Sequence, residues 1–563
     1  MGLSKIFFVK TLPIFFSFSA LFSQEPFPQK EKNHILYLAQ AHKLPQALEK
    51  YTNLLSQYSH DFELLQELAF ILLQEGSKNS DPVIQQLTMF GAGLAASTLS
   101  LDILEIGLHN PSLQTQLTAI HFISALEDDR SQQLLIQAMK SDHLSARFEA
   151  AYLLATKKHP FALGHIESLM NLLPPFFKPY FPQLFSIIGS KESISLVVSF
   201  LYDPDPYVRV ESIFSIVETG RDDLLPLIRK KLSHATPLEQ EACLAAIRRF
   251  KDSASLDQVK KLSETSTENV RIAAWQTLLT LGDPKAKKAL ERLALKQNVF
   301  AIQALKDIPG SENVLVKLLS CPNIQVRINA ILSLLHLKDP RCVPFLREIF
   351  ITDVKDISIF PGGSMGKGLF GWKVHTSSSQ MAAKDPNFDL SLALHIKEHF
   401  LHEALELPEK SFLTVANMIF EAEQNDLIPI LVSLLENLKS EKAIALLKQK
   451  GSKAGAPLIR DYCNLSLFRL REEGDYEKYV FQWILNQKHT ELIKLRPFVS
   501  WKMRQEDHYN LTPEETSRLL IEMYTAVALR KNEKGILGIL KALQEGNPKN
   551  RYALAGLLLR ATE

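Results

Sequence analysis

The residues best suited to chemistry lie in one short run. His395-Ile396-Lys397-Glu398-His399 places two imidazoles four positions apart, with a carboxylate beside the second. On a helix that spacing turns both rings to one face, where they could hold a zinc ion while Glu398 served as base. The flanking residues point to a plainer role. Ala393, Ile396, Phe400, Ala404 and Leu407 recur at helical spacing as an apolar face. That leaves His395, His399 and His402 on the solvated side, and Glu472 and Glu473 are no convincing third ligand. The expectation is therefore a solvated helix face, with no metal, no cofactor and no catalytic residue, and with His395, Glu398 and His399 as the only metal-ligand candidates.

Other reactive groups are sparse. Cys243, Cys321, Cys342 and Cys463 form no CxxC pair, none is paired with a histidine, and no GxSxG elbow occurs. Cys321 and Cys342 open the two helices of one unit, so an oxidising compartment could join them; separate buried thiols are the alternative. The run Pro361-Gly362-Gly363-Ser364-Met365-Gly366-Lys367-Gly368 has the glycines of a phosphate loop. Yet Pro361 stands where the first glycine is needed, and Gly368 where Ser or Thr is needed. Residues 351–390 are read as a Gly-rich insert loop, with Phe360, Phe370 and Trp372 as partner-binding candidates, against a loop that packs only on itself.

The elements that must position these groups repeat. Ser145-Ala146-Arg147, Tyr207-Val208-Arg209, Leu238-Glu239-Gln240, Asn269-Val270-Arg271 and Gln325-Val326-Arg327 each open a helical stretch. Taking the third residue as an anchor, Arg147 to Arg209 is 62 residues, twice 31, and Arg209 to Gln240 and Gln240 to Arg271 are 31 each. Gln116 and Lys178 fill the series, and Arg327 follows 56 residues after Arg271, one unit of 31 and a short one of 25. Three after the anchors stand Ala119, Ala150, Phe181, Ser212, Cys243, Ala274 and Ala330; seven after stand Ile123, Leu154, Phe185, Ile216, Ile247, Leu278 and Leu334. Nineteen after stand Leu135, Ile166, Val197, Ile228, Val259, Leu290 and Leu346. Offsets 3 and 7 share one face of a helix. Breaks such as Gly220-Arg221-Asp222 and Gly282-Asp283-Pro284 then separate it from a second helix carrying offset 19. Each unit is thus a helical hairpin that buries its faces only by stacking.

Asp205-Pro206-Tyr207-Val208-Arg209, Val270-Arg271-Ile272-Ala273-Ala274 with Leu281-Gly282-Asp283, and Val326-Arg327-Ile328-Asn329-Ala330 with Leu337-Lys338-Asp339 resemble the short bacterial HEAT-like repeats, including the phycobilisome-lyase-like type. The resemblance covers residues 111–350. It implies that Arg147, Arg209, Arg271 and Arg327 form a structural ladder, each bonding acidic groups of neighbouring repeats; Gln116, Lys178 and Gln240 interrupt it. Residues 82–110 read as a weaker unit and 296–320 as a shortened one, so the repeats span 82–350. Ala47 and Tyr51, one turn apart, give residues 33–81 a TPR-like look, and 391–563 read as irregular helical solenoid without a period.

The fold class expected is all-α, an elongated α-solenoid whose second helices line a concave face. Residues 1–23 have the layout of a signal peptide: Lys5 and Lys10 are the only charges before Glu25, an apolar stretch runs to Phe22, and small residues precede a cut after Ser23. An uncleaved anchor and a buried N-terminal helix are the alternatives. Export to a bacterial periplasm or cell envelope follows, with peripheral membrane association compatible with it. Among 563 residues 46 % are apolar, and Lys+Arg 64 against Asp+Glu 62 leaves +2, which excludes a disordered chain and gives no footprint for nucleic acid. The function expected is a non-catalytic protein-binding scaffold for an unidentified protein partner. The alternative is an envelope enzyme, such as an HxxEH metal-dependent hydrolase, or a lyase or chaperone-like factor with a site near 351–403.

Overall fold

The computed structural model of the chain describes residues 26–351, 397–452, 456–493 and 515–563. Among these the regular structure is helical, with no β-strand, as the 31-residue period predicts. Three helices come first, α1 (Gln29–Gln40), α2 (Leu44–Leu54) and α3 (Phe62–Ser77). Hairpins follow: α4 (Pro82–Ala95) with α5 (Leu101–Leu108), α6 (Leu113–Ser124) with α7 (Asp129–Ala138), and α8 (Leu144–Thr156) with α9 (Ala162–Leu172). Next are α10 (Phe181–Ile188) with α11 (Lys191–Phe200), α12 (Pro206–Glu218) with α13 (Leu225–Leu232), and α14 (Pro237–Phe250) with α15 (Leu256–Leu262). Then come α16 (Glu268–Thr280) with α17 (Pro284–Leu295), the short α18 (Val299–Ala304) with α19 (Glu312–Leu318), and α20 (Ile324–His336) with α21 (Leu346–Ile351). Beyond a helical stretch over 397–404 lie α22 (Glu409–Glu421), α23 (Ile428–Leu438), α24 (Glu441–Ser452), α25 (Pro457–Arg469), α26 (Tyr476–Asn486), α27 (Glu515–Leu529), α28 (Glu533–Glu545) and α29 (Arg551–Thr562). No helix among the described residues is long and apolar enough to cross a membrane.

The local chemistry explains the period. Every residue in the three columns at offsets 3, 7 and 19 is at most 1 % exposed. Asp205 caps α12 by accepting from the Tyr207 N–H at 2.8 Å, with Pro206 in the first turn, and Asp283 caps α17 in the same way. Eleven residues after six of the seven anchors, all but Gln116, the backbone turns left-handed to end the first helix. Gly189, Gly220 and Gly282 do so at φ 70°, 71° and 92°, whereas Lys158, Lys251 and Lys338 do so at 56°, 53° and 59°. A side chain there costs about 1–2 kcal/mol, partly offset by the entropy a glycine loses on folding. Lys251→Gly is therefore expected to raise stability by about 0.5–1 kcal/mol, read as a higher denaturant midpoint at unchanged m-value.

The sequence predicts an elongated α-solenoid; the structure shows the solenoid and adds that the array curves until it closes on itself. Two rows of helices run side by side. One row holds the first helices, α4, α6, α8 and so on to α20, and after the 397–404 stretch α23, α25, α27 and α29. From α29 the row returns to α4, while in the other row α28 packs on α2 and α3 on α5. The C-terminal helix lies in a slot between α3 and α4. Gly91 of α4 and Gly556 of α29 meet backbone to backbone: a Cβ on Gly556 would lie 1.8 Å from the Gly91 carbonyl oxygen. Around this contact Gln66 donates to the Thr562 carbonyl at 3.1 Å, Arg560 to the Leu94 carbonyl at 3.4 Å, and Arg551 pairs with Glu75 at 3.8 Å. The described helices form a ring, in which α3 and α4 cover α29 and are covered by it.

Candidate partner-binding surface

The spacing of neighbours tells which row faces inward. First helices nearly touch. Ser186 of α10 donates to the Ser215 carbonyl of α12 at 3.0 Å, Thr277 of α16 to the Leu244 carbonyl of α14 at 3.1 Å, and Ser333 of α20 to the Ile302 carbonyl of α18 at 3.1 Å. A hydroxyl on one carbon reaches a neighbour's backbone only when the helices are close, which the small residues at offset 3 permit. Second helices are instead bridged by long side chains, such as Arg130 of α7 to Asp102 and Glu105 of α5, or Gln258 of α15 to Ser233 after α13 at 3.1 Å. In a curved double layer the tighter row is the inner one. First helices therefore line the concave face, and the expectation that second helices do is corrected.

On a first helix, offset 5 points away from the second-helix layer. His121, Tyr152, Gln183, Phe214, Ala245 and Gln276 occupy it, all partly or fully exposed, while Leu332 is buried. This is an uncharged, aromatic-and-amide stripe. Both of its amides are hydrogen-bonded within the chain: Gln183 donates to Glu218 at 3.1 Å, and Gln276 accepts from Arg248 at 2.7 Å; further along the first-helix row His336 bridges Asp307 and Glu403 at 3.3 Å each. Burial pushes the Glu218 and Glu241 carboxyls up and the Arg248 guanidinium down, as a concave, poorly hydrated surface would.

The ladder residues share a bond that spacing alone did not suggest. Each reaches back six positions to a carbonyl beyond the end of the preceding second helix: Arg147 to Ser141, Arg209 to Asp203 at 2.7 Å, Arg271 to Thr265 at 3.3 Å and Arg327 to Cys321 at 2.7 Å. Gln116 does the same to Asn110 at 2.7 Å. The anchor side chain thus ties the turn between units by satisfying a backbone carbonyl of that turn. Carboxylate pairing is confined to some members. Arg209 reaches Glu239 of the next unit at 2.7 Å, and Arg327 holds Glu348 of its own unit. Arg271 lies 4.0 Å from Glu268 on its own helix.

Sequence reasoning passed over Glu239. It is 2 % exposed and accepts from Arg209, Lys231 at 2.8 Å and the Thr236 hydroxyl at 2.7 Å. Burial alone would raise its carboxyl; Arg209, Lys231 and Thr236 together hold it well below the usual range. The signal was present: Thr236-Pro237-Leu238-Glu239 is a capping box, and both of its bonds form.

Of the other candidate sites, His395, Phe360, Phe370 and Trp372 lie outside the described residues. Glu398 and His399 are half-buried in the 397–404 helix, beside buried Phe400, Leu401 and Ala404. Among the described residues no group of three His, Cys, Asp or Glu side chains is arranged to hold a metal ion. Cys321 and Cys342 are separate free thiols, as are Cys243 and Cys463, and all four are buried. The Cys342 thiol donates to the Asp339 carbonyl at 3.1 Å, so it turns into its own helical turn. Burial pushes the Cys243, Cys342 and Cys463 thiols up to about 12. Native protein is expected to leave all four unreacted with a thiol reagent, and denatured protein to titrate four; rapid native reaction would contradict this burial.

No curated protein matches the sequence. Among solved structures the chain is similar to the karyopherin Kap121p bound to the extreme C-terminus of the protein phosphatase Cdc14p, at 15 % identity, covering 94 % of this chain and 62 % of that one, with a TM-score of 0.37. It is also similar to UNC-45 from Drosophila melanogaster, at 12 % identity, covering 94 % of this chain and 92 % of that one, with a TM-score of 0.27. The chain thus spans less than two thirds of the length of Kap121p. Residues 228–306, from within α13 to just past α18, match the family model for HEAT repeats. With helical hairpins stacked before and after that segment, the chain is an all-α solenoid that carries HEAT repeats over residues 228–306.

Proposed function

We propose that this chain is an exported, non-catalytic scaffold that holds a protein partner against its concave row of first helices. The observation that carries this is the offset-5 stripe from His121 to Gln276, a series of partly or fully exposed aromatic, amide and aliphatic side chains on six successive units. Such a surface offers apolar contact and hydrogen bonds at a regular repeat, which suits a polypeptide. It lacks the dense Lys and Arg that a phosphate backbone demands. Export rests on residues 1–23, with their basic start, apolar run and small-residue exit.

Crosslinking with mass spectrometry in native envelopes tests the scaffold. It should return a stable protein partner joined to residues near the stripe, and Phe214→Ala with Tyr152→Ala should weaken recovery. Partner links confined to second helices would overturn the concave assignment. Reading the mature N-terminus tests export: a start near Gln24 supports it, and an intact Met1 removes it.

A further inference from the structure

We propose that the ring has a built-in opening joint at the polar seam between α25–α26 and α27–α28, and that the junction where the chain ends meet stays shut. The group α27–α29 is bounded by two seams of different chemistry. On one side α29, buried over nearly its whole length from Tyr552 to Thr562, packs on α3 and α4, with Gly91 on Gly556. Parting that seam exposes mostly apolar surface, for which water offers no replacement bonds.

The other seam is fastened by charge and hydrogen bonds. Arg469 of α25 pairs with Glu522 of α27 at 3.2 Å, Asn532 ahead of α28 donates to Glu477 of α26 at 3.2 Å, and Lys488 pairs with Glu545 at 2.5 Å. Arg530 donates to the Phe468 carbonyl and lies over its ring, 4.4 Å from the centroid. A cavity of about 300 Å³ opens in this seam, lined in part by Arg471, Tyr476, Glu477, Arg530 and Asn532. Two guanidinium groups therefore face one small space. Burial and the charge of Arg471 both lower the Arg530 pKa, as expected of like charges held across a joint. Apolar packing persists where Gly538 of α28 meets Ile484 and Phe481 of α26, so the seam can re-form. Polar partners exchange readily for water and salt screens exposed pairs, so this seam yields first. Opening there turns the ring into an arc whose concave face can be entered from the side.

Hydrogen exchange on the full chain at about 0.05 M and about 0.5 M salt tests this. Amides of α25–α28 along the seam should exchange several-fold faster at the higher salt, while those of α3, α4 and α29 stay unchanged. A double variant, Lys488→Cys with Glu545→Cys, joined by a short bifunctional thiol reagent, should abolish the increase, since the native thiols are buried. The proposal is overturned if α3, α4 and α29 respond first, if all helices respond alike, or if the joined protein opens as the free one does.

Discussion

Cutting the chain after Asn550 opens the ring and loosens its opposite end. In an ordinary solenoid each unit rests on its neighbours and the terminal units fray. Here α29 stands where α3 and α4 would otherwise face water, and Gln66 bonds Thr562 across 496 residues of sequence. Without residues 551–563 the slot that buries Leu65, Leu72, Leu87 and Ala92 loses its cover. The truncated chain should stay helical, show a larger radius of gyration by X-ray scattering, and lose amide protection in α3 and α4. Protection in α12–α17 should hold. A point variant isolates the geometry. Gly556→Val places a branched side chain where even a Cβ would strike the Gly91 backbone, which cannot give as a flexible side chain would. Overpacking of this kind costs about 3 kcal/mol or more when backbone must shift. Melting followed by local probes should then split, with the N-terminal helices unfolding ahead of the central repeats. Unchanged scattering and unchanged exchange in α3 and α4 would show that closure adds nothing to the fold.

The hairpins were legible because each is dictated locally. A small residue at offset 3, apolar ones at 7 and 19 and a turn at 11 recur within 31 residues, and all twenty-one residues of the three columns proved buried. Closure was not legible, because it depends on a glycine in α4 meeting a glycine in α29, and no repeat reports a contact at that separation. One hint existed: Tyr552-Ala553-Leu554-Ala555-Gly556-Leu557-Leu558-Leu559 has no polar face, so it had to be enclosed on all sides. The inner row was misassigned for a related reason. The small column signals close approach, yet closeness fixes the direction of curvature only when both rows are compared. The family resemblance implies an arginine–carboxylate series for the ladder. Its shared partner is instead a carbonyl six residues back, which Gln116 reaches as well as Arg209 does.

Glu239→Gln should be the most damaging single change among the charged residues of the repeats. The carboxylate is 3 % exposed at its side chain, and its partners Arg209 and Lys231 are 17 % and 12 % exposed. Removing one member of a buried ion pair costs about 3–5 kcal/mol, because the charge left behind is desolvated and unpaired. The lower end applies, since Arg209 keeps the carbonyls of Asp203 at 2.7 Å and Pro204 at 2.9 Å. Lys231 is more dependent, and the Thr236 hydroxyl loses its charged acceptor. Thr236→Ala removes the cap and one of the three side-chain donors to the carboxylate, and should cost about 1–2 kcal/mol, less than losing the charge. Acid distinguishes this site from simple packing. The folded carboxyl is held below its ordinary value of 4.5, so below that pH the unfolded chain binds the proton first. The stabilisation by Glu239 is therefore complete above pH 4.5 and is lost as pH falls towards the folded value. Denaturant titrations of both proteins should show the largest gap at neutral pH and a narrowing gap below pH 4.5. A gap that is constant into acid would mean that the glutamine disturbs packing alone, and that the buried carboxylate does not hold these two units together by charge.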